Sequence, residues 1–276
     1  MGFDYMKYLR KEKMPHIWCA GCGHGIIMKA IIRAVDKQGL DPNRVVVVSG
    51  IGCVSRMPGY LDFNTLHTTH GRALAFATGV KMADPSLHVI AVMGDGDAIA
   101  IGGNHFIHAC RRNIGITTIV ANNYIYGMTG GQRSPTTPVG DNTSTTVYGN
   151  PDPPFDISAL AIAAGASYVA RTTTYHVQQI DRLIVQGLEN SGFSMIEVIG
   201  PCFVAHGRRN RGRYKSNIDM YREEKEAAIN ITAAKGRSAA ELMGKVTVGV
   251  LHQAPIAEYT DEYAKLMEKA RARKGK

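Results

Sequence analysis

Two groups of residues in this sequence have side chains suited to holding a cofactor. The first is Asp95 with Asn123. Asp95 sits in Gly94-Asp95-Gly96-Asp97, directly after the apolar run Leu87 to Met93. Asn123 sits in Asn122-Asn123, directly after Ile116 to Ala121. A carboxylate and an amide oxygen beside a helix N-terminus suit a hard divalent cation that bridges to a diphosphate. Magnesium fits best, because it keeps few protein ligands and takes the rest from phosphate and water. Asn122 competes with Asn123 for this role, since an offset of one residue is not fixed by sequence. The second group is Cys19, Cys22, Cys53 and Cys202. One Cys-x-x-Cys pair and two distant single cysteines can hold zinc or a 4Fe-4S cluster. Structural zinc usually uses two local pairs, and this chain has one. The fifth cysteine, Cys110, falls inside a predicted helix and reads as a small core residue.

The elements that must position these groups follow from the hydrophobic pattern. Leu87 to Met93 and Ile116 to Ala121 are short, β-branched and bounded by glycine or asparagine, as buried parallel strands are. Between them, Ala98 to Arg112 carries apolar residues at helical spacing, so a single helix is expected there. A right-handed strand-helix-strand unit puts Asp95 and Asn123 on one sheet edge, where ligands normally bind. Gly94 and Gly96 let a ligand approach the backbone, and the helix starting near Ala98 points its positive end at the same spot.

Elsewhere the pattern predicts an arm over 1 to 18, a helix from Ile26 to Lys37 and a strand from Arg44 to Ser49. A glycine-containing loop passes His67 and His70, and a helix from Arg72 to Ala83 follows. Beyond Gln132 a polar loop of ~20 residues runs to Pro154, a length more often functional than idle. Asp156 then caps a helix to Ala164. A strand (Ser167 to Ala170), a helix (Tyr175 to Asn190) and a strand (Phe193 to Ile199) follow. Residues 216 to 243 look helical, Val246 to Leu251 is a strand candidate, and Ala257 to Arg271 is a helix candidate. The alternation predicts an α/β fold, with a mainly parallel sheet and helices on both faces. Residues 1–205 form its domain, and 206–276 are a C-terminal extension packing on it or on a partner subunit. Strand carboxyl ends and helix N-termini share one edge in such a fold, which gathers four of the five cysteines beside Asp95 and Asn123.

Composition narrows the function classes. No apolar run reaches the ~18 residues that span a bilayer. The N-terminus lacks a signal region, and residue 6 is not the Ser or Thr of a myristoylation motif, so a soluble, cytoplasmic protein is expected. Without a secretion signal, the five cysteines argue against a disulfide framework. The formal charge is +9, concentrated in Arg208, Arg209, Arg211, Arg213 and Lys215 and in the tail Lys269 to Lys276. A solvated face, an acidic protein partner and the phosphates of coenzyme A all fit that cluster. No nucleic-acid-binding module is visible.

The Gly-Asp-Gly motif followed at an interval by Asn-Asn resembles the thiamin diphosphate motif. Further motifs are Trp-Cys-x-Gly-Cys-Gly, Gly-Ile-Gly-Cys, His-Thr-Thr-His-Gly-Arg, Tyr-Gly-Met-Thr-Gly-Gly-Gln and Gly-Pro-Cys. Through these, most of residues 14 to 205 resembles the β subunit of a 2-oxoacid:ferredoxin oxidoreductase. Gly-Gly-Asn-His and Asn-Asn-x-x-Tyr-Gly are closest to the 2-oxoglutarate type. The resemblance implies a thiamin diphosphate-binding fold, with Mg2+ held by Asp95, Asn123 and the Ile125 carbonyl. It makes Gly52, Gly94, Gly96, Asp97, Gly127, Met128 and Thr129 cofactor contacts, and Cys19, Cys22, Cys53 and Cys202 ligands of one 4Fe-4S cluster. The implied reaction converts 2-oxoglutarate and coenzyme A to succinyl-CoA and CO2, reversibly enough to permit CO2 fixation, with electrons leaving to ferredoxin. Pyruvate, branched-chain or aryl 2-oxo acids are the alternative substrates.

Arg56, three residues past a cysteine, is a candidate fork donor to the distal carboxylate of the substrate. His67 and His70 are candidates for cofactor or substrate contacts. Thiamin diphosphate enzymes need a Glu near the aminopyrimidine, and in this family another chain supplies it. An α (or αγ-type) subunit is therefore the expected partner, without which this chain is inactive. Two other readings compete: a non-oxidative thiamin diphosphate carboligase or decarboxylase, and a metal-binding interaction subunit with a relict cofactor site.

Overall fold

The structure, a computed structural model, describes residues 3–274. Met1-Gly2 and the last two residues of the basic tail lie outside the described residues. In chain order the elements begin α1 (His24–Lys37), β1 (Val45–Ser49), β2 (Asn64–His67), α2 (Ala73–Ala83), β3 (His88–Gly94), α3 (Asp95–Ile99) and α4 (Gly103–Arg112). They continue β4 (Ile116–Asn122), β5 (Ile125–Tyr126), β6 (Gln132–Arg133), α5 (Ile157–Ala163), β7 (Tyr168–Thr173), α6 (Val177–Glu189) and β8 (Ser194–Ile199). The C-terminal part adds α7 (Asn217–Ala227), β9 (Ala228–Asn230), α8 (Ile231–Ala234), β10 (Val246–Gln253) and α9 (Tyr259–Lys274).

One sheet runs in the order β2-β1-β3-β4-β8-β7-β10-β9. The pairs from β2 through β7 are parallel, and β10 joins β7 antiparallel. The expected α/β class, a mainly parallel sheet with helices on both faces, is what the chain forms. Strands β1, β4, β7 and β8 are buried along their whole length, hence their near-continuous Val, Ile and Thr. One core layer lies under α1 and α6, with Ile27, Ile31, Ile180 and Ile184 against Val45, Val47 and Ile196. The other lies under α2, α4 and α5, with Leu74, Phe106 and Ile157 against Val48, Met93 and Met195. Each large side chain so buried contributes about 1.5–3 kcal/mol.

Three local expectations are corrected. The helix expected from Ala98 to Arg112 is two helices, because α3 begins at Asp95 itself and the chain breaks over 100–102. The cause is tertiary. Gly71 presses its backbone onto the break, and a Cβ there would lie 2.7 Å from the Gly102 nitrogen. The loop around His67 begins as an edge strand, β2, paired in parallel with β1. Residues 216 to 243 are not one helix. Ala228–Asn230 leaves α7 to pair with β10, and the Asn230 side chain accepts from the Thr232 amide to start α8 afresh. The C-terminal segment thus adds two strands to the sheet. None of the described helices is long and apolar enough to cross a membrane.

Candidate functional site

Strands β1, β3, β4 and β8 are consecutive neighbours in the sheet, so the loops leaving their carboxyl ends lie side by side. Those loops carry Gly50 to Cys53, Gly94 to Asp97, Asn123 to Thr129 and Gly200 to Cys202. The strand order reverses between β1 and β3, where open sheets form a ligand crevice. A cavity open to solvent occupies that point. Gly52, Gly94, Asp95, Gly96, Asp97, Asn123, Ile125, Gly127, Met128, Thr129 and His70 all line it.

Its polar floor is fixed from within. Asp95 is 3% exposed, and its Oδ2 lies 2.6 Å from Thr136 Oγ1. Burial raises the pKa of its carboxyl, against hydrogen bonds from Ser134 and Thr136 that lower it. Asp97 ties three loops together. Its Oδ1 accepts from the Gly71 amide at 2.7 Å and the Ile51 amide at 3.2 Å, and His70 Nδ1 lies 2.5 Å away. His70 also meets the Tyr126 ring edge-on at 6.1 Å. Asn122 is committed elsewhere: its amide donates to Glu197 Oε1, and its oxygen accepts from the Tyr124 amide. Asn123 is the member of the pair that lines the cavity.

Two bare backbones form a cradle. A Cβ at Gly52 would meet nothing within 4 Å, and one at Gly94 only Val54 at 4.0 Å. Gly52 has φ +125°, a region open to glycine. Gly96 is needed for a different reason, since a Cβ there would lie 2.3 Å from the Tyr126 ring. A carboxylate, an amide oxygen and the Ile125 carbonyl beside exposed backbone are hard donors, fitted to Mg2+ and a diphosphate.

A second cavity, with an open volume of about 630 Å3, shares His24, Cys53, Asn123, Gly127 and Met128 with the first. Cys19, Cys22, Cys53 and Cys202 all line it. A Cβ on Gly127 would lie 3.3 Å from Cys202 Sγ and 3.9 Å from Cys53 Sγ, so glycine keeps this shared wall thin. Burial pushes Cys22 up to about 12, and the neighbouring sulfurs of Cys202, Cys53 and Cys19 add to it. Cys53 and Cys202 are raised by the same cause. Thiols held protonated in this way ionise when a metal centre takes the proton's place. Among the described residues, no three His, Cys, Asp or Glu side chains are spaced for a single metal ion. Cys110 is fully buried in the core, away from both cavities.

Arg56 and His67 are not part of either lining. Arg56 is exposed, and its charge acts to lower the Cys53 pKa. His67 is on β2 with Nδ1 2.9 Å from Ser49 Oγ. Sequence reasoning missed His24, which stands on both cavity walls and is 5% exposed. Its place directly after Cys-Gly at the start of α1 was the available signal. Burial lowers its pKa to about 4, so its imidazole is neutral at pH 7. Trp18, whose Nε1 donates to the Cys53 carbonyl at 2.7 Å, was also missed.

The family model for the thiamine pyrophosphate enzyme, C-terminal TPP binding domain, matches residues 46–198. The 2-oxoglutarate synthase subunit KorB of Methanocaldococcus jannaschii is 49% identical over 97% of this chain and 98% of its own length. The subunit of the same name from Archaeoglobus fulgidus is 60% identical over 73% of this chain and 75% of its own. A solved 2-oxoglutarate:ferredoxin oxidoreductase from Magnetococcus marinus, with 2-oxoglutarate, coenzyme A and succinyl-CoA bound, superposes with a TM-score of 0.86. It is 32% identical and covers 98% of this chain and 91% of that one.

Proposed function

The chain belongs to the β subunits of the 2-oxoacid:ferredoxin oxidoreductases, and we propose that it supplies the diphosphate- and cluster-binding half of an enzyme that converts 2-oxoglutarate and coenzyme A to succinyl-CoA and CO2. Support for 2-oxoglutarate comes from the names of the relatives and the ligands of the solved neighbour. The observation that carries the redox reading is the shared wall: Cys53, Asn123, Gly127 and Met128 face both cavities. When bound, thiamin diphosphate supplies a nucleophilic carbon and an electron sink for loss of CO2, and a cluster supplies a one-electron exit.

The chain's own residues do the positioning. Asp95, Asn123 and the Ile125 carbonyl would hold Mg2+, and Gly52 and Gly94 let the diphosphate lie against backbone. Asp97 fixes His70 on the cavity wall. His24, buried and neutral, keeps positive charge off the wall between the two cavities. Cys19, Cys22, Cys53 and Cys202 would ligate the cluster. Among the described residues, no glutamate lines either cavity; the aminopyrimidine contact is assigned to a partner subunit, without which this chain is inactive. Ferredoxin is the proposed electron acceptor.

The test is anaerobic co-purification with the partner subunit, followed by iron and sulfide analysis and a substrate panel. About four of each per chain are expected, with 2-oxoglutarate- and coenzyme A-dependent reduction of a one-electron acceptor. Zinc, or free thiols without metal, would sink the redox reading and leave a carboligase or an interaction subunit. Arg56, exposed beside Cys53, is the proposed contact for the distal carboxylate. R56A should raise KM for 2-oxoglutarate about 10-fold or more while sparing pyruvate, the loss of one charge-assisted fork. Unchanged 2-oxoglutarate kinetics would remove Arg56 from the site.

A further inference from the structure

The polar stretch between Gln132 and Pro154 carries no cofactor ligand in the reading above, yet several of its polar side chains are deeply buried. Ser134 and Thr136 are each 2% exposed, Thr137 is 0% and Asn150 is 3%. The loop is tied to itself. Asn150 donates to the Thr137 carbonyl at 2.8 Å, its amide donates to the Asp141 carbonyl, and Thr137 Oγ1 accepts from the Ser134 amide.

Two adjacent hydroxyls leave this frame and bear on the loops of the site from behind the cavity wall. Thr136 Oγ1 lies 2.6 Å from Asp95 Oδ2 and 2.9 Å from Asn122 Oδ1. Thr137 Oγ1 donates to the Tyr124 carbonyl at 2.6 Å. Tyr124 has φ +63°, a left-handed conformation uncommon for a residue with a side chain. It is the link between Asn123 and Ile125. Asn122, which receives the Tyr124 amide, is itself anchored on Glu197, and Glu197 is held by Arg171 and Ser158. Each proposed metal ligand is thus braced by a threonine of one loop. Thr136 sits on the Asp95 carboxylate, and Thr137 on the strained peptide that aims Asn123 and Ile125.

We propose that Thr136 and Thr137 are positioning residues for the metal and diphosphate site, with Thr136 occupying Asp95 Oδ2 so that Oδ1 serves the cation. This inference rests on the assignment of Asp95, Asn123 and Ile125 as metal ligands. Groups that orient a metal ligand typically change metal affinity about 10- to 100-fold when removed.

The experiment is Mn2+ titration by electron paramagnetic resonance at saturating thiamin diphosphate, on the complex with its partner subunit. T136V should weaken Mn2+ binding about 10- to 100-fold, T136S should restore it to within about threefold, and T137V should fall between the two. T118V is the control. It deletes a fully buried hydroxyl that has no hydrogen-bond partner among the described residues, and it should leave Mn2+ affinity unchanged. T136A guards against crowding by the added methyl and against a variant that does not fold. Wild-type affinity in T136V or T136A would overturn the inference, as would a T118V defect equal to that of T136V. Failure of the wild type to bind Mn2+ with thiamin diphosphate would instead overturn the ligand assignment.

Discussion

The two cavities share a wall but are built by opposite means. In the oxygen-lined cavity, side chains fix side chains: Thr136 holds Asp95, and Asp97 holds His70 and two backbone amides. In the sulfur-lined cavity, backbone turns fix the thiols. The Cys22 amide donates to the Cys19 carbonyl, Trp18 holds the Cys53 carbonyl, and the Cys202 carbonyl accepts from the His206 amide. Asn217 of α7 reaches Gly21 between the first two cysteines at 2.9 Å. The oxygen site is therefore organised before its ligand arrives. The sulfur site is organised in its backbone, with Cys19 exposed and Cys22, Cys53 and Cys202 half-buried.

That contrast predicts that the two sites fail separately. The largest effect belongs to the sulfurs. C53S with C202S should reduce iron from about four per chain to less than one and abolish acceptor reduction. Thiamin diphosphate binding, measured by calorimetry with Mg2+, should stay within about threefold. Next comes D95A, with the mirrored outcome: cofactor affinity falls about 100-fold or more while iron and sulfide stay at wild-type levels. If either variant disables both sites, the shared wall couples them and the division is wrong. D97N is smaller. It keeps the shape of Asp97 but weakens the grip on Gly71, Ile51 and His70, so about a 10-fold loss of cofactor affinity is expected. An unchanged Kd would mean that Asp97 holds only the fold.

What the sequence made legible were the features carried by strand ends. Asp95, Asn123 and the four outer cysteines were gathered on one edge by alternation alone, because a parallel sheet leaves its carboxyl ends no other place. The fold class followed from the same pattern. The break between α3 and α4 was hidden because it is imposed by Gly71, some thirty residues earlier in the chain. Strands β2 and β9 were missed because each is an edge, three or four residues long, defined by its partner rather than by its own pattern. The loop after Gln132 was recognised as unusual. Which of its hydroxyls bear on the site was not legible, since Thr136 and Thr137 differ from Thr143 and Thr145 only by where the loop folds. Arg56 and His67, close in sequence to a ligand and a motif, line neither cavity, so sequence proximity did not place them on a wall.

Whether the C-terminal segment braces the sulfur site can be tested at Glu224. Glu224 of α7 is 8% exposed. Its Oε2 accepts from Thr174 Oγ1 at 2.9 Å and from the Tyr175 amide at 3.0 Å, while Oε1 has no partner among the described residues. Thr174 in turn packs on two cysteine-bearing loops, for a Cβ would meet its methyl 2.6 Å from Gly23 and 2.9 Å from Gly200. Burial raises Glu224 to about 7 from an ordinary value of 4.5. An acid whose pKa is higher folded than unfolded binds its proton more tightly in the native state. Stability is therefore fully present below about pH 4.5 and is lost as pH rises towards 7, by on the order of 3 kcal/mol. E224Q, neutral throughout, should flatten that fall. The unfolding midpoint of the metal-free chain at pH 5 and at pH 8 should then differ less in E224Q than in wild type. Parallel curves for the two proteins would show that Glu224 does not titrate in this window, and the raised pKa would be wrong.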